Sequence, residues 1–143
     1  MARQLIGPRV AAIYEMQSAL LDPHLKRLGI SWTTFQLLSA VMEEGGHASQ
    51  IAVARSLGVA PATMSESVQA HIEKGYLNRT ASPKDGRVKL LSLTERSISI
   101  MDEIRTVLRS TEDRLSQGLS DDECNFVVAE LDRVLANLEG SNR

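Results

Sequence analysis

The chain is poor in aromatic residues, nearly free of cysteine, and lacks any long apolar run. Aromatic side chains make up 3% of its 143 residues. A core must therefore be built from Leu, Ile, Val, Met and Ala, which favours helices over a sandwich of sheets. The single Cys124 excludes an internal disulfide framework. No stretch of about 18 apolar residues occurs, so no membrane span is expected. The opening segment, MARQLIGPRVAAIYEMQ, places polar side chains inside each apolar turn, unlike a signal peptide. These absences lead us to expect a cytoplasmic protein. The apolar fraction of 43% and charged fraction of 24% are those of a globular domain.

A net charge of −2 argues weakly against a polyanionic partner, but its distribution matters more. Residues 78–92 hold Arg79, Lys84, Arg87 and Lys89 against Asp85 alone, whereas residues 93–143 carry six basic and eleven acidic side chains. A phosphate backbone responds to the local patch within a Debye length of about 8–10 Å, not to the total.

Along the chain, Ile6, Val10, Ile13, Gln17 and Leu20 recur at helical spacing. Pro23 is expected to break or kink that helix, which resumes through Leu25 and Leu28 to Gly29. Ser31 can cap a helix from Trp32 to Glu44 with Phe35, Leu38, Val41 and Met42 inward, ended by Gly45-Gly46. Ser49 can cap the next, with Ile51, Ala52 and Leu57 inward and Gly58 closing it. Pro61 suits the first turn of a further helix, where its missing N–H is harmless. Met64, Val68, His71 or Ile72, and Leu77 follow, and Gly75 stops the helix.

Residues 78–94 differ. Asn78 to Thr80 suits a short extended stretch, Ser82 to Gly86 is dense turn chemistry, and residues 87–93 alternate like a strand. Val88 and Leu90 fall on one face of that strand, Arg87, Lys89 and Leu91 on the other. The result is a β-hairpin with a basic tip. Thr94 can cap a long helix to about Gln117 carrying Ile98, Met101, Ile104 and Leu108. Ser120 and Glu123 form a capping box for the last helix, 121–139, with Gly140 following it. Its Val127, Val128, Leu131, Val134, Leu135 and Leu138 make a wide apolar stripe.

The order is the informative part: helix, helix, tight glycine turn, helix, basic hairpin. Two short helices joined around Gly58 match a helix-turn-helix, and the hairpin after them matches its winged version. At these residues the chain resembles the MarR family of regulators. The segments that carry the resemblance are Ser49 to Val59, Glu73 to Arg79, Lys84 to Arg87, and Leu93-Thr94. It implies a mainly α (α+β) fold, a winged helix-turn-helix lobe over residues 31–94, and dimerisation helices over 1–30 and 95–143 of a single chain. It further implies a homodimer on a pseudo-palindromic DNA operator, often a repressor relieved by a small aromatic or phenolic ligand. Two departures stand out. The reading helix, roughly 60–72, contains no Lys or Arg and carries Glu66. His71 also stands where a core Leu is usual.

The residues expected to meet DNA are Thr63, Ser65, Ser67 and Gln69 on that helix, with Arg55 from the helix before it. Arg79, Lys84, Arg87 and Lys89 join them from the hairpin. A basic residue at a turn-defined tip, Arg87 above all, suits a minor-groove or phosphate contact, and Asp85 suits orienting it or capping the turn. Glu66 can accept from a cytosine amino group. Tyr14, His24, Trp32 and Met42 are the side chains suited to a ligand cavity, a composition that cores share. His24, His47 and His71 lack metal-ligand spacing, and no cofactor is expected. Cys124 lies in the first turn of the last helix and reads as a structural thiol. The arrangements of nucleophile and base that mark hydrolases, and a phosphate loop, are missing, so an enzyme is not expected. The uncharged reading helix and acidic C-terminal half leave one alternative, a winged-helix module that binds proteins.

Overall fold

The structure, a computed structural model, describes residues 4–140. The outermost residues of the expected dimerisation ranges, 1–3 and 141–143, lie outside them. Helix α1 spans Gly7–Leu28 and runs on through Pro23, so the expected break is absent. Proline removes one bond, to the carbonyl of Ala19, but that residue is exposed, so the loss falls where water is available. Leu21 and Leu25, on either side of Pro23, are both buried and hold the two halves to one packing surface.

Ser31 caps helix α2 (Trp32–Glu43) by accepting from the backbone N–H of Thr34 at 3.1 Å. Gly45 and Gly46, both at positive φ, then turn the chain into a three-residue strand, β1 (His47–Ser49). Ser49 caps helix α3 (Gln50–Leu57) through the N–H of Ala52 at 3.1 Å. The inner face of α3 differs from expectation: Ile51 is 60% exposed, while Val53 and Ala54 are buried. In eight residues with five apolar side chains, periodicity does not single out one face. After Gly58 comes α4 (Pro61–Glu73), whose Met64, Val68 and His71 are buried, so the histidine packs inward and Ile72 is half-buried.

Strands β2 (Leu77–Ala81) and β3 (Lys89–Leu93) form the hairpin, and β3 also pairs with β1, giving an antiparallel sheet of order β1-β3-β2. Ala48 and Arg79 both stand opposite the buried Leu91. The second strand begins at Lys89, not Arg87. Helix α5 (Glu95–Leu115) follows the cap of Thr94, whose hydroxyl accepts from the N–H of Ser97 and donates to the carbonyl of Gly75. Its buried side chains are Ser97, Ile100, Met101 and Ile104. Ile98 and Leu108, expected inward, are 45% and 42% exposed. Helix α6 (Asp121–Gly140) includes Gly140 instead of ending before it. Its capping box is formed: the N–H of Ser120 donates to Glu123 Oε2 at 2.8 Å, and the N–H of Glu123 donates to Ser120 Oγ at 3.3 Å. The backbone bond first, then the hydroxyl, holds the Glu123 carboxyl below the usual glutamate range.

The chain divides into two compact units at Leu108/Arg109. In the first, Leu37, Leu38, Val41, Val53, Val68, Leu77, Leu91 and Ile104 are fully buried, and truncating any of the leucines or Ile104 to Ala costs about 2–5 kcal/mol. In the second, α6 buries none of its residues, and Phe126, Val128, Leu131, Leu135 and Leu138 all face solvent. Among the described residues no helix is long and apolar enough to cross a membrane.

Candidate nucleic-acid interface

The local sequence sets α4 against α3 at a fixed turn. Gly58 adopts φ 64, which costs a Cβ-bearing residue energy, and the N–H of Val59 returns to the carbonyl of Ala54 at 2.9 Å. Pro61 then starts α4. With Met64 and Val68 inward, Thr63, Ser65, Glu66 and Gln69 are left exposed and Ser67 half-buried. The outer surface is a row of short hydroxyls, one amide and the Glu66 carboxylate, a surface of donors and acceptors without a cation. Arg55 is exposed on α3.

The hairpin supplies the missing charge. Its turn is held by four bonds: the N–H of Ser82 to the carbonyl of Val88 at 2.8 Å, that of Val88 to the carbonyl of Asp85 at 3.0 Å, that of Lys84 to Ser82 Oγ at 3.3 Å, and that of Arg87 to Asp85 Oδ1 at 3.0 Å. Asp85 thus shapes the turn through a backbone bond. Lys84, Arg87 and Lys89 are exposed, and none of the ion pairs among the described residues engages them.

Arg79 sits differently. Half-buried on β2, it donates to Gln69 Oε1 at 2.9 Å, and the same amide donates from Nε2 to Glu73 at 3.2 Å. The hairpin and α4 are therefore tied by a guanidinium–amide–carboxylate chain, over a shallow groove lined by Ser65, Glu66, Gln69, Ala70, Glu73 and Arg79. Sequence reasoning missed this link. The partners are ten residues apart on different elements, and the packing of β2 against α4 brings them together.

Of the four side chains suited to a ligand cavity, the structure brings together two. Tyr14 meets Trp32 edge to face at 6.2 Å, and both line an open groove of ≈ 420 Å³ with Ser18, Ala19 and Asp22. The carboxylate of Asp22 pairs with Lys26 at 2.8 Å, and this hydrogen bond and charge raise the Lys26 ammonium above its usual value. His24 is half-buried and does not line the groove. Met42 lies near the far end of α2 beside Gly45, Gly46, His47, Ser92, Leu93 and Ile98. Cys124 is half-buried on α6, and the described residues hold no cluster suited to a metal ion.

Residues 28–88, which contain α2, the α3–α4 pair and the hairpin tip, match the model of the MarR family. This lobe is thus similar to that of the MarR family of transcriptional regulators. Solved structures extend the likeness of fold beyond the lobe. A cysteine variant of E. coli MarR, complexed with operator DNA, is 21% identical with a TM-score of 0.71 over 91% of this chain and 93% of that one. CouR from Rhodococcus jostii RHA1, bound to p-coumaroyl-CoA, is 23% identical with a TM-score of 0.75 over 90% of each chain. A MarR transcriptional regulator from Methanosarcina mazei Go1 is 20% identical, with a TM-score of 0.72 over 92% and 94%. The fold is thus the MarR winged helix, mostly helical with a small three-stranded sheet.

Proposed function

We propose that this chain is a cytoplasmic, homodimeric repressor of the MarR family that binds a pseudo-palindromic operator and releases it on binding an aromatic or phenolic ligand. The observation that carries the DNA reading is the pairing of an exposed polar row on α4 that holds no Lys or Arg with exposed cations at the hairpin tip that make no ion pair among the described residues. Cations at the wing neutralise phosphates and position the protein, while Thr63, Ser65, Ser67 and Gln69 meet base edges and nearby phosphates. Arg55 adds a phosphate contact from α3. Residues 31–94 act as the DNA-binding lobe, and 1–30 with 95–143 as the dimerisation part.

The uncovered apolar faces support a second copy. Val10, Ile13 and Met16 on α1 are exposed, as are Phe126, Val128, Leu131, Leu135 and Leu138 on α6. Apolar stripes of this extent mark interaction surfaces. A dimer places its two reading helices about 34–36 Å apart, in successive major grooves. A ligand in the Tyr14–Trp32 groove shifts that spacing only through unequal affinity for its two states. The partners bound in the similar structures, operator DNA in one and p-coumaroyl-CoA in another, agree with such a scheme.

The deciding experiment is selection of bound duplexes from random DNA at physiological salt. Two half-sites related by a dyad, with binding that fades steeply as salt rises, are expected. Selection without enrichment overturns the reading. The absence of Lys and Arg from residues 61–73 favours one competitor, a protein-binding module, which salt-insensitive or undetectable DNA binding would select. Trp32 is the chain's single tryptophan, so its emission reports on the groove directly. A phenolic acid that quenches it should also release the duplex.

A further inference from the structure

His71 is a buried polar side chain that the reading above leaves without a task. It is 8% exposed on α4. Its Nδ1 lies 2.6 Å from the carbonyl oxygen of Ser67, and a carbonyl only accepts, so Nδ1 carries a hydrogen. In the neutral ring Nε2 is then an acceptor, and the Thr34 hydroxyl 3.0 Å away donates to it. Thr34 Oγ1 in turn accepts from the Ser31 hydroxyl at 3.1 Å, and Ser31 Oγ accepts from the N–H of Thr34 at 3.1 Å. Every hydrogen in this chain has one direction. It begins at the cap of α2 and ends on the backbone of α4.

The neighbouring anchors act differently. Met64 and Val68 fix how closely α4 approaches the core, but apolar contact is non-directional. Hydrogen bonds weaken steeply with angle, so the Thr34–His71 bond restricts the rotation of α4 about its axis and its slide along α2. A leucine at position 71 would bury more apolar surface. The polar pair therefore contributes geometric definition at a place where packing alone would serve stability. Its far end, the Ser67 carbonyl, lies between the exposed Ser65 and Glu66 on one side and Gln69 on the other.

We propose that the Ser31–Thr34–His71 chain is a positioning device for the reading helix, fixing the rotation at which α4 presents its polar row and so setting sequence discrimination. This inference rests on the DNA-binding reading. The test compares a selected duplex with a scrambled one of equal length, using full-length protein well below each variant's melting temperature. Thr34→Val should reduce the ratio of the two affinities roughly ten-fold, the order of one base contact. Binding to the scrambled duplex and its salt slope should stay within about two-fold, because phosphate contacts are untouched. Thr34→Ser should restore the ratio. His71→Leu, which packs without the bond, should keep or raise the melting temperature and still lose discrimination. It decides alone if Thr34→Val does not fold. An unchanged ratio in folded His71→Leu overturns the positioning role while leaving DNA binding intact. A wild type that binds neither duplex overturns both.

Discussion

Helix α4 and the hairpin tip follow one another in the chain and are opposite in character. Between residues 61 and 73 the formal charges are Glu66 and Glu73, whereas residues 79–89 carry Arg79, Lys84, Arg87 and Lys89 against Asp85. The helix is packed on a core and dressed with polar groups; the tip is a turn whose cations face water. Such a division assigns two energies to two places. On the proposed DNA-binding reading, long-range, salt-screened attraction comes from the wing, and short-range discrimination comes from the helix. A protein whose reading helix was itself basic would mix the two and bind any duplex more tightly.

The largest effect follows from removing the wing's charge. The double variant Lys84→Ala/Arg87→Ala should lose about a hundred-fold or more in affinity for every duplex. A dimer with two wings gives up four phosphate contacts, so the slope of log K against log salt should become shallower by about 3.6. Fluorescence anisotropy across a salt series measures both. Because both side chains are exposed, folding stability should stay within about 0.5 kcal/mol. An unaltered slope would place the electrostatic contact elsewhere and dissolve the comparison.

The link between the two regions gives the next effect. Gln69 holds Arg79 by a bond of 2.9 Å, so Gln69→Ala should loosen the guanidinium and weaken operator binding by about ten-fold. Arg79→Lys keeps the charge but loses the planar fork, and should lose nearly as much. If Arg79→Lys binds like wild type, Arg79 acts only as a point charge. Glu66→Gln is smaller and of mixed sign. Removing a carboxylate beside phosphates should raise affinity for random DNA about three-fold, while discrimination at one cytosine-containing position falls. Selection from random DNA with both proteins separates the two outcomes.

Features written in single residues were legible in the sequence. The caps at Ser31, Ser49, Thr94 and Ser120 each need one side-chain oxygen beside a helix start, and all four form. The turn of Gly58 and the basic tip were legible for the same reason. What depended on tertiary context was not. Strand β1 is three residues long and exists because β3 offers an edge to pair with. The inner faces of α3 and α5 were shifted by neighbours that periodicity does not encode. Helix α1 continues through Pro23 because Leu21 and Leu25 hold it from both sides. Tyr14 and Trp32 share a groove that excludes Met42, since ten residues of α2 separate its ends by about 15 Å. The Thr34–His71 and Gln69–Arg79 bonds join residues from different elements, and no spacing rule links them.

The smallest effect concerns Asp85, where two physical roles oppose one another. Its Oδ1 accepts from the N–H of Arg87 at 3.0 Å and so orders the tip, yet its charge partly offsets the cations around it. Asp85→Asn keeps the acceptor and removes the charge, and should strengthen binding to all duplexes about two- to three-fold, with a steeper salt slope. Asp85→Ala removes both. The freed N–H is exposed and finds water, so ordering worth only about 0.5 kcal/mol is lost, roughly cancelling the electrostatic gain. The alanine variant should therefore bind like wild type while the asparagine variant binds more tightly. If both variants gain equally, the turn bond adds nothing to the wing, and the tip acts through charge alone.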